Sequence, residues 1–177
     1  MRTRVGYAGG TTKDPTYHSL GGHAETIQID FDPSVISYDE LLRMFWKMHS
    51  PQMRAPSMQY RSVVFYHNDN QRQAAERLKA DEEDRIKGAI FTEVVPFTEF
   101  YRAEDYHQKY YLRGVRELAA EYLAIYPDIT DFVGSTATAR VNGYAGHYGT
   151  KERLERELNS LGLSEEGQSR LLKIVGP

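Results

Sequence analysis

Polar and apolar residues alternate strictly along Glu25-Thr26-Ile27-Gln28-Ile29-Asp30-Phe31, which sets Ile27, Ile29 and Phe31 on one face of a half-buried strand. Thr3–Tyr7, Ser62–Tyr66 and Ile90–Val95 give three more strands, the last of them stopped by Pro96. Elsewhere the period lengthens. Leu41, Met44, Phe45 and Met48 recur at helical spacing. Ser37, with Glu40 three residues on, makes a capping box for that helix, and Ile36 with Leu41 supplies the hydrophobic staple. Asn70–Lys87 predicts a second, charged helix closed by Gly88, with Asp81-Glu82-Glu83-Asp84 as its solvated face. Val115–Ile125, Thr150–Leu161 and Ser164–Val175 read as further helices, whereas Asp131–Gly149, rich in Gly, Ser, Thr and Ala, reads as a loop. Half-buried strands need an apolar cover. The pattern therefore predicts an α+β fold, a two-layer mixed β-sheet with packed helices and a C-terminal helical extension.

Composition narrows the function more than the fold. The 177 residues are 40% hydrophobic and 27% charged, as in an ordinary folded domain. A net charge of -3 provides no basic field for nucleic acid or anionic lipid. Apolar stretches fall far short of the ~20 residues of a membrane span. Met1-Arg2-Thr3-Arg4-Val5-Gly6 lacks the apolar region of a signal peptide, so a cytoplasmic location is the expectation. There is no cysteine, which excludes disulfides, thiolate metal sites and a thiol nucleophile within these residues. Thirteen tyrosines suit a polar pocket as well as a core, because each couples ring packing to a phenolic donor.

Three segments carry candidate chemistry. Tyr17-His18-Ser19-Leu20-Gly21-Gly22-His23-Ala24-Glu25 holds a phenol, two imidazoles and a carboxylate, with glycines that let the backbone fold them together. The helical spacing of a two-histidine metal motif is absent, so no metal is expected and the histidines read as structural. Met58-Gln59-Tyr60-Arg61-Ser62 places Tyr60 ahead of a strand. Ala103–Tyr111 is an aromatic and charged segment able to close over a pocket.

In order along the chain, Val5-Gly6-Tyr7-Ala8-Gly9-Gly10, Asp14-Pro15-Thr16-Tyr17, Gly22-His23-Ala24-Glu25, Gln59-Tyr60-Arg61-Ser62 and Ala103-Glu104-Asp105-Tyr106-His107-Gln108 closely resemble the A-type peptide methionine sulfoxide reductases. The Ser37–His49 helix resembles that family too, and the match spans roughly residues 2–113. The resemblance implies two regions, a reductase-like core over 1–113 and a helical, glycine-rich extension over 114–177. It also implies the activity: reduction of methionine-(S)-sulfoxide, free or in peptides and proteins, as repair of oxidative damage. No bound cofactor is implied, only an external thiol reductant such as thioredoxin. By the same resemblance Glu25 is the acid toward the sulfoxide oxygen, and Tyr17 and Tyr60 are its phenolic donors. An acid in that role needs burial to keep its proton near neutral pH.

Three departures qualify this. The family nucleophile lies in a Gly-Cys-Phe-Trp segment upstream of the Val-Gly-Tyr strand, and this chain begins at that strand. Asn142-Gly143-Tyr144-Ala145-Gly146 is similar to the family's mobile C-terminal segment, with Ala145 where a resolving cysteine often sits. A family aspartate just before Tyr60 is also missing, since His49–Met58 contains no Asp. Either the nucleophile segment lies upstream of Met1, or the chain is a cysteine-free relative acting as a sulfoxide- or partner-binding module. Retention of Tyr17, Glu25 and Tyr60 favours the first. A His/Glu metal-dependent hydrolase is the remaining, poorer rival.

Overall fold

The computed structural model describes residues 1–176. Among these the order is β1 (Arg2–Ala8), β2 (Ala24–Asp30), α1 (Tyr38–Lys47), β3 (Val63–Tyr66), α2 (Asp69–Ile86), β4 (Glu93–Pro96), β5 (Phe100–Arg102), α3 (Tyr110–Gly114), α4 (Arg116–Ile125), α5 (Ile129–Gly134), α6 (Thr136–Ala145), α7 (Lys151–Glu157) and α8 (Glu165–Val175). One sheet has the strand order β2-β1-β5, and β3 and β4 form another. β1 runs antiparallel to β5, Tyr7 opposite Tyr101, while β3 runs parallel to β4, Val64 opposite Val94. Strands of both pairing kinds with packed helices make the chain α+β.

The chain divides into two compact units, one of Gly6–Thr26 with Phe31–Arg102 and one of Met1–Val5, Ile27–Asp30 and everything from Ala103 on. In the first unit α1 and α2 pack on the β3-β4 pair around Leu42, Trp46, Val64, Ala75, Leu78 and Ile90. The capping box of α1 forms as its sequence dictates. The Ser37 hydroxyl accepts from the Glu40 N–H at 3.2 Å, and the Ser37 N–H donates to the Glu40 carboxylate at 2.8 Å. The buried face of α1 differs from the expected one, because Leu42 and Trp46 face the core and Met44 and Met48 stand exposed. The indole offers the largest apolar area on the helix, and turning it inward rotates the Met stripe out.

Helix α2 starts on Asn68, whose side chain accepts from the Gln71 N–H at 3.0 Å. It ends on Lys87 rather than Gly88, with Lys87 itself in the left-handed region at φ 55. On edge strand β2 burial does not follow the alternation of the sequence: Ile27 is 57% exposed between half-buried Thr26 and Gln28, whereas Ile29 and, just past the strand, Phe31 are half-buried.

Helices α3–α8 form the second unit around Leu112, Leu118, Tyr122, Phe132, Val141, Tyr144, Leu154 and Leu171. The loop expected over Asp131–Gly149 is instead mostly helical, as α5 and α6. Asp128 caps α5 at the Thr130 N–H and Ser135 caps α6 at the Thr138 N–H. Phe132, Val133, Val141 and Tyr144 then supply the burial that the small residues between them cannot. Thr138 is fully buried and donates its hydroxyl to the Phe132 carbonyl at 2.6 Å. The Tyr122 hydroxyl donates to the Leu161 carbonyl at 2.7 Å.

Candidate functional site

Tyr17 lies on the Thr16–Ser19 turn, Glu25 at the start of β2 and Tyr60 on a short helical turn, all within the first unit, and two glycine turns flank them. After β1 the chain turns at Gly9, with φ +79, and before β2 it turns at Gly21 and Gly22, with φ +55 and +84. Glycine is required at position 9 twice over. The left-handed backbone penalises a Cβ, and a Cβ there would come within 2.6 Å of the Phe65 ring and 2.7 Å of the Arg61 guanidinium.

His23 joins the two turns. It is 2% exposed; its Nδ1 accepts from the Gly10 N–H at 3.1 Å and its Nε2 faces the Thr12 carbonyl at 2.8 Å. This pairing puts the ring proton on Nε2 and leaves no lone pair for a metal. The imidazole is a structural brace, as the sequence suggests.

Glu25 follows as the second residue of β2. Its Oε1 accepts from the Gln59 side-chain amide at 2.6 Å. The burial expected of this carboxyl is not found: Glu25 is exposed. Gln59 belongs to the 3-10 turn Met58–Tyr60, which also delivers Tyr60. The Tyr60 and Tyr17 hydroxyls are hydrogen-bonded to each other; that bond, the Tyr17 phenol and the Glu25 carboxylate hold the Tyr60 hydroxyl above the ordinary phenol range. Tyr17 also meets the His18 ring edge-on, 5.2 Å between centroids. Tyr17 and Glu25, from one segment, and Tyr60, distant in the chain, thus share one patch at the surface. Two neighbours had no assigned role from sequence, Gln59 and Arg61. No local signal marks them, because their partners Glu25, Gly22 and Gly9 lie 34 to 52 residues away in the chain.

The other predicted segments do different work. In Ala103–Tyr111, Gln108 is 1% exposed and turns its amide onto Val5 and Ala103 backbone groups, and Lys109 turns its amine onto Thr3. The segment around Ala145, expected to be a loop, is helical. Asn142–Ala145 is the last turn of α6, the Tyr144 hydroxyl is bonded to Glu157, and Tyr148 lies against the Tyr111 ring at 5.9 Å.

A family model described as peptide methionine sulfoxide reductase matches residues 1–135. The chain belongs to the peptide methionine sulfoxide reductase family. A peptide methionine sulfoxide reductase of Drosophila melanogaster is 40% identical over 166 residues, covering 93% of this chain and 66% of the relative. One from Methanosarcina acetivorans is 48% identical over 122 residues, covering 63% of this chain and 65% of the relative. The chain therefore spans just under two thirds of the length of these curated relatives. Among solved structures, methionine sulfoxide reductase A of Corynebacterium diphtheriae superposes with a TM-score of 0.54 at 30% identity, over 63% of this chain and 62% of that one. Reduced Mxr1 of Saccharomyces cerevisiae gives 0.58 at 29%, over 65% and 71%. Coverage of 93% takes the Drosophila alignment well past residue 135, into the helices that the peptide methionine sulfoxide reductase family model leaves out.

Proposed function

We propose that the Tyr17–Glu25–Tyr60 patch is the oxygen-side half of a methionine-(S)-sulfoxide reductase site, used on free or peptide-bound substrate in protein repair. The observation that carries this reading is the convergence of one carboxyl and two phenols around Gln59, in a member of this family. In the reaction a thiolate attacks the sulfoxide sulfur. The S–O bond breaks, the oxygen passes to the thiol as a sulfenic acid, and the thioether leaves reduced. Glu25 is exposed within these residues, so its role as proton donor to the oxygen requires the thiol-bearing segment and the substrate to cover it, and Tyr17 and Tyr60 donate hydrogen bonds to the charge growing there. Two thiol groups of an external reductant, thioredoxin or a similar donor, return the sulfenic acid to thiol, releasing water and leaving the reductant as a disulfide. A cytoplasmic setting suits that reductant; among the described residues no helix is long and apolar enough to cross a membrane.

The 177 residues contain no cysteine, so the thiolate must come from outside them. As written, the chain is expected to show no turnover of methionine sulfoxide with dithiothreitol or thioredoxin. A version extended by a Gly-Cys-Phe-Trp segment ahead of β1 is expected to turn over, and Glu25→Gln in it to lose roughly 10²–10⁴-fold in kcat, the usual worth of a general acid. Activity of the extended protein with kcat unchanged in Glu25→Gln would overturn the assignment of the acid. Sulfoxide binding with no turnover in the extended protein would favour a cysteine-free binding module instead.

A further inference from the structure

Arg61 follows the Met58–Tyr60 turn, and its side chain is only 9% exposed although a guanidinium keeps its charge. Nη1 donates to the Gly22 carbonyl at 2.8 Å and Nη2 to the Gly9 carbonyl at 3.1 Å. Nε has no hydrogen-bond partner and lies 3.9 Å from a Glu93 carboxylate oxygen. Each of the two carbonyls belongs to a left-handed glycine, one where β1 ends and one three residues ahead of Glu25. Backbone bonding between the turns is sparse: the Thr11 N–H reaches the Gly21 carbonyl only at 3.5 Å. Side chains join them instead, His23 from within and Arg61 from the far side of the Gln59-Tyr60 pair.

We infer that Arg61 is a positioning residue whose planar fork bridges the two glycine turns and so fixes Glu25 against Tyr17 and Tyr60. The tripeptide Gln59-Tyr60-Arg61 then acts as one clamp, with Gln59 on the carboxyl, Tyr60 on the opposite phenol and Arg61 on the backbone that carries Glu25. Only a guanidinium does this. Its donors diverge in one rigid plane, so two carbonyls from separate segments are held at a set distance, whereas a lysine ammonium is a single point on a flexible stem. The meaning of the clamp for catalysis rests on the reductase reading; its geometry does not.

The test uses the whole 177-residue chain and needs no turnover. Tyrosine labelled at Cζ with ¹³C is followed by NMR across pH, the Tyr60 signal being identified by its loss in Tyr60→Phe. In Arg61→Lys the Tyr60 midpoint is expected to fall toward that of a free phenol, because the Tyr17 contact and the Glu25 charge no longer face it. Titration with N-acetyl-methionine-(S)-sulfoxide is expected to show binding weakened ~10-fold, the effect of losing one well-placed charged hydrogen bond. An unchanged Tyr60 midpoint in folded Arg61→Lys overturns the inference. A shifted midpoint, with no sulfoxide binding by the chain extended with the Gly-Cys-Phe-Trp segment, upholds the clamp and defeats the reductase reading. Should the variant not fold, couplings across the hydrogen bonds from Arg61 Nη to the Gly9 and Gly22 carbonyls in ¹⁵N,¹³C-labelled wild type decide it: present, they support the clamp, and absent, they overturn it.

Discussion

The Gln108 side chain stands in for a strand partner. Its Oε1 accepts from the Val5 N–H at 3.1 Å, and its Nε2 donates to the carbonyls of Val5 at 2.9 Å and Ala103 at 3.0 Å. Gln108→Leu keeps the volume and leaves the Val5 N–H and the Ala103 carbonyl without this partner, while the Val5 carbonyl keeps the Ala103 N–H at 3.1 Å, so stability by urea unfolding is expected to fall by roughly 1–3 kcal/mol. Beside it Lys109 is 6% exposed and donates to the Thr3 carbonyl at 2.5 Å and hydroxyl at 3.0 Å. Burial, and then the nearby Arg4 charge, push its amine down to about 8.

Unfolded, the same amine titrates near 10.4, so between these values the unfolded chain binds more protons and stability rises with pH. Tyr101, held up to about 12 by its bond to Glu99, works the other way above pH 10, where unfolded tyrosines ionise first. Urea unfolding is therefore expected to show stability climbing by roughly 1–2 kcal/mol from pH 8 to pH 9.5 and declining above 10. The climb should vanish in Lys109→Met. A flat profile in the wild type would mean that the amine is solvated in the folded state.

At the scale of elements, close approach decides the β1–β5 pairing. Gly6 lies opposite Arg102, and a Cβ on it would come within 2.2 Å of the Tyr101 carbonyl oxygen. Backbone cannot yield as a side-chain tip can, so Gly6→Ala is expected to cost about 1–3 kcal/mol by thermal unfolding. The helix pair α5–α6 turns on Thr138, whose hydroxyl reaches back to the Phe132 carbonyl. Thr138→Val leaves that carbonyl short of a donor, and a loss of about 1 kcal/mol is expected.

These two elements also mark how far local pattern carries. The capping box of α1 was legible because its two bonds join residues three apart. Helices α5 and α6 were not, because Gly134, Gly143 and the threonines argue for a loop until Phe132, Val141 and Tyr144 find a common core. β5 was missed because its three residues, Phe100–Arg102, are a strand only by virtue of β1 alongside.

At the scale of the molecule, the second unit draws on both ends of the sequence, since Met1–Val5 belongs with Ala103 onward. Removing residues 1–5 is expected to reach beyond β1, because Gln108 and Lys109 lose the backbone groups they bond. Hydrogen exchange should then rise in α3, the helix that Lys109 precedes. Exchange unchanged in α3 would show that the helical core around Leu112 holds it without the strand.

What the sequence determined by itself was whatever rests on neighbours in the chain or on residue chemistry. That covers the strands and helices of the first unit apart from β5, the α+β class, the absence of any thiol, and the segments that hold Tyr17, Glu25 and Tyr60. Tertiary structure decided which face of α1 is buried, that Glu25 is exposed rather than enclosed, and that Ala145 ends a helix rather than lying in a loop. It also decided what Gln59 and Arg61 do, for their partners Glu25, Gly22 and Gly9 are 34 to 52 residues away. The reason is physical. Periodicity and capping are written in separations of two to four residues, whereas burial and long-range hydrogen bonds depend on which surfaces the folded chain brings together.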